Sequence, residues 1–157
     1  MCEQCGEPER TAGQRYLSEV LDRIREYGWC VQGVLGTGVR PPWAYTLGLT
    51  AHGLPELVVT GLPPHPSAVL LSAAAERTLT TGPPEPGARL SLPGHPALEA
   101  VALTAPGVHL HFAVALYGPE ISAIQLVHSD VRGVFPWSPN YRAGQGGQPV
   151  LGERTHD

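Results

Sequence analysis

Between Thr11 and Tyr27 the apolar residues Tyr16, Leu17, Val20, Leu21, Ile24 and Tyr27 recur at three- and four-residue steps, the period of one buried stripe on an amphipathic helix. Thr11 suits the N-cap of that helix and Gly28 its stop. The pattern then changes to short β-leaning runs, VQGVLGTGV, WAYTLGL and ELVVTGL, broken by turn residues. PHPSAVLLSAAAERTL predicts a second helix over about Ser67 to Leu79, with prolines in its first turn and an alanine-rich body. RLSL, ALEAVALT, VHLHFAVALYG and ISAIQLVHSD, each bounded by Pro, Gly or Asp, read as four more strands. The expected fold is α+β, with two main helices packed on an antiparallel sheet of about seven short strands that takes in Trp43 to Leu49 and His109 to Leu116. From Gly133 onward there is no periodicity and many breakers. The chain therefore divides into a cysteine-bearing N-terminal segment over 1–10, a single α+β domain over 11–132 and an extended C-terminal segment over 133–157, without internal repeats.

Composition sharpens this picture by exclusion. Glycine and proline fill nearly a quarter of the 157 positions, so the fold is rich in turns. All ten basic residues are arginine, and without lysine neither a Schiff-base enzyme nor a Walker-type phosphate loop can be built. A net charge of −4 with both signs scattered provides no field for a nucleic acid. No apolar run approaches the ~20 residues of a membrane span, and MCEQCGEPER has no secretion-signal character. A cytoplasmic location follows, and three unevenly spaced cysteines fit a reducing compartment.

Four groups of residues carry candidate chemistry. Cys2 and Cys5 form a CxxCG knuckle, which presents two thiolates to one tetrahedral zinc but is only half a structural site. A redox pair and a plain terminus with two reduced cysteines are the other readings. His109 and His111 would share one face of a strand, with His128 and Asp130 at the same spacing on the next. A hairpin over Gly118 and Pro119 with Tyr117 opposite Glu120 would set His109 against His128, making a centre of three histidines and a carboxylate; a one-residue slip would send the pairs to opposite faces. Pairing Val108, Leu110, Phe112 and Val114 with Ile124 and Leu126 favours the slip. His109 and His111 are then expected on one face, without metal, beside a polar surface or shallow pocket.

The third group is Trp43, Tyr45, Thr46, His52 and Glu56. Alternation puts Trp43, Tyr45 and Leu47 on one face of a strand and Ala44, Thr46 and Gly48 on the other. Glu56, opening an apolar strand, calls for an ion-pair partner such as Arg40 or Arg132 if it is buried, and a catalytic acid is the alternative. The fourth is DVRGVFPWSP: Asp130 and Gly133 form a turn, and Phe135 with Trp137 either clasps the C-terminal tail or walls a ligand pocket.

The motifs CEQCG, EYGWCVQGV, WAYTLGLTAHGLPELVVTGL, ALYGPEISAIQLVHSD, GVFPW and GGQPVLG, in that order and over almost the whole chain, resemble the bacterial family called domain of unknown function 4262. The blocks YTLGL, PELVV and DxxGxFPW carry the resemblance. It implies no activity, since the family's name records that none is established. It also implies an aromatic residue, typically tryptophan, where this chain has His128. Two functions fit these observations. One is a protein with a small-molecule pocket in its sheet, using Tyr45, Glu56, His109, His111, His128, Asp130 and Trp137 as contacts. The other is a non-catalytic accessory or interaction module with a protein partner, stapled by zinc through Cys2 and Cys5.

Overall fold

A computed structural model describes residues 11–155. Helix α1, Ala12–Tyr27, starts on a capping box in which the Thr11 hydroxyl accepts from Gln14 N–H and the Gln14 side chain accepts from Thr11 N–H. It stops where Gly28, at φ 91°, donates its N–H to the Ile24 carbonyl. Strands β1 (Cys30–Val34), β2 (Trp43–Leu47) and β3 (Glu56–Thr60) form an antiparallel meander, and helix α2 (Pro64–Thr81) follows. α2 begins a turn earlier than Ser67 because Pro64 and Pro66 occupy first-turn positions, where a missing N–H costs no helical hydrogen bond.

β4 (Arg89–Leu90), β5 (Leu98–Ala102), the short helices α3 (Pro106–His109) and α4 (His111–Tyr117), and β6 (Ala123–His128) complete the main elements. The sheet order is β1-β2-β3-β6-β5-β4. Every neighbouring pair is antiparallel except β3 and β6, which run parallel with Glu56 opposite Ala123 and Val58 opposite Gln125.

The fold is therefore α+β, but the sheet is mixed rather than wholly antiparallel and has six strands rather than seven. Both corrections have one source. VHLHFAVALYG, expected as a strand, forms α3 and α4. Leu110, Ala113, Val114 and Tyr117 stand at helical spacing within a run whose apolar residues are broken only by His109 and His111, so either period could be read from it. Pro106 at the first helical position tips the local choice. Without that strand there is no hairpin over Gly118, and β6 enters between β3 and β5.

α2 covers one face of the sheet: Leu70, Leu71, Ala74 and Ala75 pack on Ala44, Leu57, Val59, Ala100 and Leu126. On the other face Val20 of α1 and Leu110 and Ala113 of α3–α4 meet Tyr45, Leu47 and Val58. The tail runs over this second face as a strap. Gln125, fully buried, donates to the Pro149 carbonyl at 2.8 Å and accepts from Leu151 N–H at 2.8 Å, and the Thr60 hydroxyl donates to the same Pro149 carbonyl at 2.7 Å. Gly152 lies so close to Ala102 that any Cβ would collide with the Ala102 carbonyl. Among the described residues no helix is long and apolar enough to cross a membrane.

Candidate functional site

The residues singled out in the sequence disperse over the fold. Tyr45 is fully buried, its hydroxyl accepting from Phe112 N–H at 3.1 Å, and burial pushes its phenol up to about 12. It is a packing residue with one satisfied polar atom.

Glu56 is fully buried as well, and its partners are not Arg40 or Arg132. Its carboxylate accepts from the Thr46 hydroxyl at 2.8 Å, Leu49 N–H at 3.2 Å, Thr50 N–H at 2.8 Å and the Thr50 hydroxyl. Two of these donors open the 3₁₀ turn Leu49–His52, so Glu56 caps that turn from the next strand. Hydrogen bonds from fixed dipoles replace the expected ion pair.

His109 and His111 do not share a strand face, since they belong to two successive helices. His111 is exposed, with Nε2 2.8 Å from the Val108 carbonyl. The His109 ring stands edge-on to Trp43, whose indole N–H donates to the His109 carbonyl at 3.0 Å. Burial, with help from Arg40 and His111, holds the His109 imidazole below its ordinary value, and its ring borders a cavity of about 160 Å³ with Arg40 and Trp43. Among the described residues no three His, Cys, Asp or Glu side chains could jointly hold a metal ion. Cys2 and Cys5 lie outside the described residues. Cys30 is half-buried on β1, and burial pushes its thiol up.

Trp137 forms a clasp. Its ring stacks on Phe135 at 5.0 Å and 6°, with Arg154 over Trp137 at 3.7 Å and Arg89 over Phe135 at 4.0 Å. Glu99, buried below, joins both guanidinium groups at 2.7 and 2.8 Å. The ladder secures the tail through Arg154.

His128 and Asp130 come together at a larger cavity than the one beside His109. A groove of about 640 Å³ opens where β3 and β6 end, lined by Leu62, His128, Ser129, Asp130, Arg132 and Arg142 among others. The carboxyl ends of parallel strands are where open sheets place ligands, because the chain leaves them in diverging directions.

His128 forms part of the groove's inner wall. Its Nε2 lies 3.1 Å from the Thr60 carbonyl, so this nitrogen carries the proton and donates. Burial holds its imidazole below the ordinary value, outweighing the Thr60 carbonyl, which works the other way. Gln148 grips the same residue from behind, accepting from His128 N–H at 2.9 Å and donating to the His128 carbonyl at 2.8 Å and to the Tyr141 hydroxyl at 2.7 Å.

Asp130 shapes the rim. One oxygen accepts from Arg132 N–H and Val134 N–H at 2.8 and 2.9 Å, and the other accepts from Arg142 N–H at 2.9 Å. The Val134 and Arg142 amides hold its carboxyl below the usual carboxylate range.

With its N–H fixed there, Arg142 adopts φ 48°, ψ 41°, and Ala143 follows at φ 54°, ψ 35°. Two consecutive non-glycine residues in the left-handed region store about 1–2 kcal/mol each. The Arg142 guanidinium donates to the Gly61 and Gly146 carbonyls at 3.4 and 3.3 Å, which leaves donors of its five free. Among the described residues neither Arg132 nor Arg142 forms an ion pair.

Ser129 completes the wall. It is 5% exposed, yet its hydroxyl has no partner among the described residues. Sequence reading overlooked Ser129, Arg142 and Gln148, and weighed Gln125 only as an assisting ligand under the slipped register. Gln125 had a usable signal, since an amide inside the apolar run AIQLV must be paired when the strand is buried. Arg142 had none, because its position depends on the fold of the 130–142 loop.

The chain belongs to the family described as domain of unknown function DUF4262, whose sequence profile matches residues 23–142 and so takes in the groove from Leu62 to Arg142. Neither the curated proteins nor the solved structures contain a significant match.

Proposed function

We propose that this protein binds a small anionic molecule in the groove at the carboxyl ends of β3 and β6. Arg142 and Arg132 supply the charge and Ser129 a neutral donor. The carrying observation is the Ser129 hydroxyl, unpartnered among the described residues and accessible on the wall of a groove that also holds two guanidinium groups without ion-pair partners there. A ligand oxygen that accepts from this hydroxyl gains about 0.5–1.5 kcal/mol. Asp130 contributes one negative charge at the rim against the two guanidinium groups, and its oxygens are turned to three backbone N–H groups. The strained backbone at Arg142 and Ala143 supports the same reading, since strain of that kind is held where it aims a side chain.

His128 orders the site and does not touch the anion as an acid, because its Nε2 proton is engaged by Thr60. The reading is one of binding and assigns no reaction.

Titrating ¹⁵N-labelled protein with inorganic phosphate and with citrate tests it. Amide shifts should concentrate in 128–134 and 142–145, Arg142→Gln should weaken binding by about tenfold, and Ser129→Ala by a few-fold. Shifts spread over unrelated arginines, or affinities untouched by Arg142→Gln, would overturn the assignment.

A further inference from the structure

The side chains along the inner stripe of α2 shrink toward its end. Leu70, Ala74 and Thr78 stand four apart, all buried, on one face of the helix. Leu70 fills the space above the sheet; one and two turns later Ala74 and Thr78 do not. A cavity of about 250 Å³ results, floored by the fully buried Leu57 of β3 and Leu126 of β6. Gly82, at φ 92°, turns the chain so that Pro84 closes one wall.

Two polar side chains around this apolar floor, Thr78 and Arg77, are unspent among the described residues. Thr80 and Thr81 donate their hydroxyls to the helix carbonyls of Glu76 and Arg77, at 2.9 Å each. Thr78, on the cavity wall and 3% exposed, has no such bond, nor any other among the described residues. Arg77 stands at the mouth, exposed and without an ion pair among the described residues. A chamber with an apolar floor, one unpartnered hydroxyl in its wall and one cation at its entrance matches a ligand with a hydrocarbon body and a single anionic head.

We propose that this cavity binds an aliphatic carboxylate of roughly eight carbons, the length that fills such a volume at interior packing density. The tail lies on Leu57 and Leu126, and the carboxylate accepts from the Thr78 hydroxyl and from Arg77. The site is separate from the anion groove, with which it shares no lining residue.

Octanoate and 1-octanol, each titrated below its aggregation concentration into ¹⁵N-labelled full-length protein, provide the test. Octanoate should shift amides in 74–84, and Ala74→Leu, which fills the chamber, should weaken it by about tenfold. Arg77→Gln and Thr78→Val should each weaken octanoate by about fivefold, with Arg77→Gln leaving octanol unchanged. Arg142→Gln should leave octanoate binding intact, so failure here is distinguishable from failure of the groove. No shift in 74–84, equal affinity for octanoate and octanol, or full octanoate affinity in Ala74→Leu would each overturn the proposal. If Ala74→Leu does not fold by circular dichroism, the comparison of octanoate with octanol in the Arg77→Gln variant decides.

Discussion

Replacing Glu56 with glutamine changes one oxygen into an amide nitrogen and almost nothing in shape, so it isolates the hydrogen-bonding role. The carboxylate takes four bonds: one oxygen serves the Thr46 hydroxyl and Leu49 N–H, the other serves Thr50 N–H and the Thr50 hydroxyl. Whichever oxygen becomes NH₂, it faces one hydroxyl and one backbone N–H. The hydroxyl can rotate and accept, but the N–H cannot. One buried backbone donor is therefore orphaned, at about 1–3 kcal/mol, and the remaining bonds lose their charge assistance, for another ~1–2 kcal/mol. Rotating Thr46 carries its own penalty, because that hydroxyl already accepts from Leu57 N–H at 2.9 Å. The expected loss is about 3–4 kcal/mol, or roughly 10 °C in Tm for a chain of this size. Urea unfolding at pH 7, followed by circular dichroism, reads it directly. Anion binding in the groove should persist in the folded variant, since Glu56 lines none of it. A loss below about 1 kcal/mol would refute the view that Glu56 organises the Leu49–His52 turn, and abolished groove binding in a folded protein would return Glu56 to the candidate site.

Burial works to raise the Glu99 carboxyl, but hydrogen bonds from Arg154 and Arg89 outweigh it and hold the group below its ordinary value. Such a carboxyl contributes stability above its unfolded value of about 4.3, and that contribution is lost as pH falls through the folded value. Glu99→Gln should therefore be less stable than the parent at pH 7 and converge with it in acid; parallel urea-stability curves across that range would count against the ladder. For His128, long-range ¹H–¹⁵N spectra should show a neutral ring with its proton on Nε2 as pH falls through about 6.5, because burial lowers its affinity for a second proton; a proton on Nδ1 contradicts the Thr60 contact. A depressed histidine favours the fold above that pH and costs stability below it, so His128→Gln should flatten the decline. Ala143→Gly, at φ 54°, should raise stability by about 1 kcal/mol in thermal melts; destabilisation would show that the left-handed pair is not strained.

The helices were legible because each has a period and punctuation. α1 has a capping box at Thr11 and a left-handed glycine at position 28, and α2 has prolines at its start and Gly82 at its end. The strands β1, β2, β3 and β6 were legible as short apolar runs between turns. The failure fell where two histidines interrupt an otherwise apolar run. In HLHFAVALY the histidines alternate with apolar neighbours, which suggests period two, while Leu110, Ala113, Val114 and Tyr117 satisfy the helical period equally well. Tertiary contacts settle the choice: Phe112 N–H reaches the Tyr45 hydroxyl and Trp43 reaches the His109 carbonyl. With that strand lost, the histidine cluster lost its geometric basis. His128 and Asp130 were singled out because they stand two apart, the spacing of His109 and His111, whereas Ser129 and Arg142 join them only through the fold around the end of β6, which no periodicity describes.

The groove and the C-terminal strap are parts of one construction. Once β6 lies parallel to β3, both strands end at the same end of the sheet, and His128, paired with Leu98 of β5 on one side, has no β3 residue to pair with on the other. Gln148 substitutes for that strand, its amide matching both the N–H and the carbonyl of His128. To bring Gln148 into place, residue 147 must pass directly over residue 61. Gly61, at φ 73°, permits this, since a Cβ there would strike the Gly147 carbonyl. The Gly61 carbonyl in turn accepts from Arg142. The strap that seals the second face of the sheet therefore also fixes the arginine of the groove, so loosening the tail should lower affinity in the groove without altering any residue that lines it.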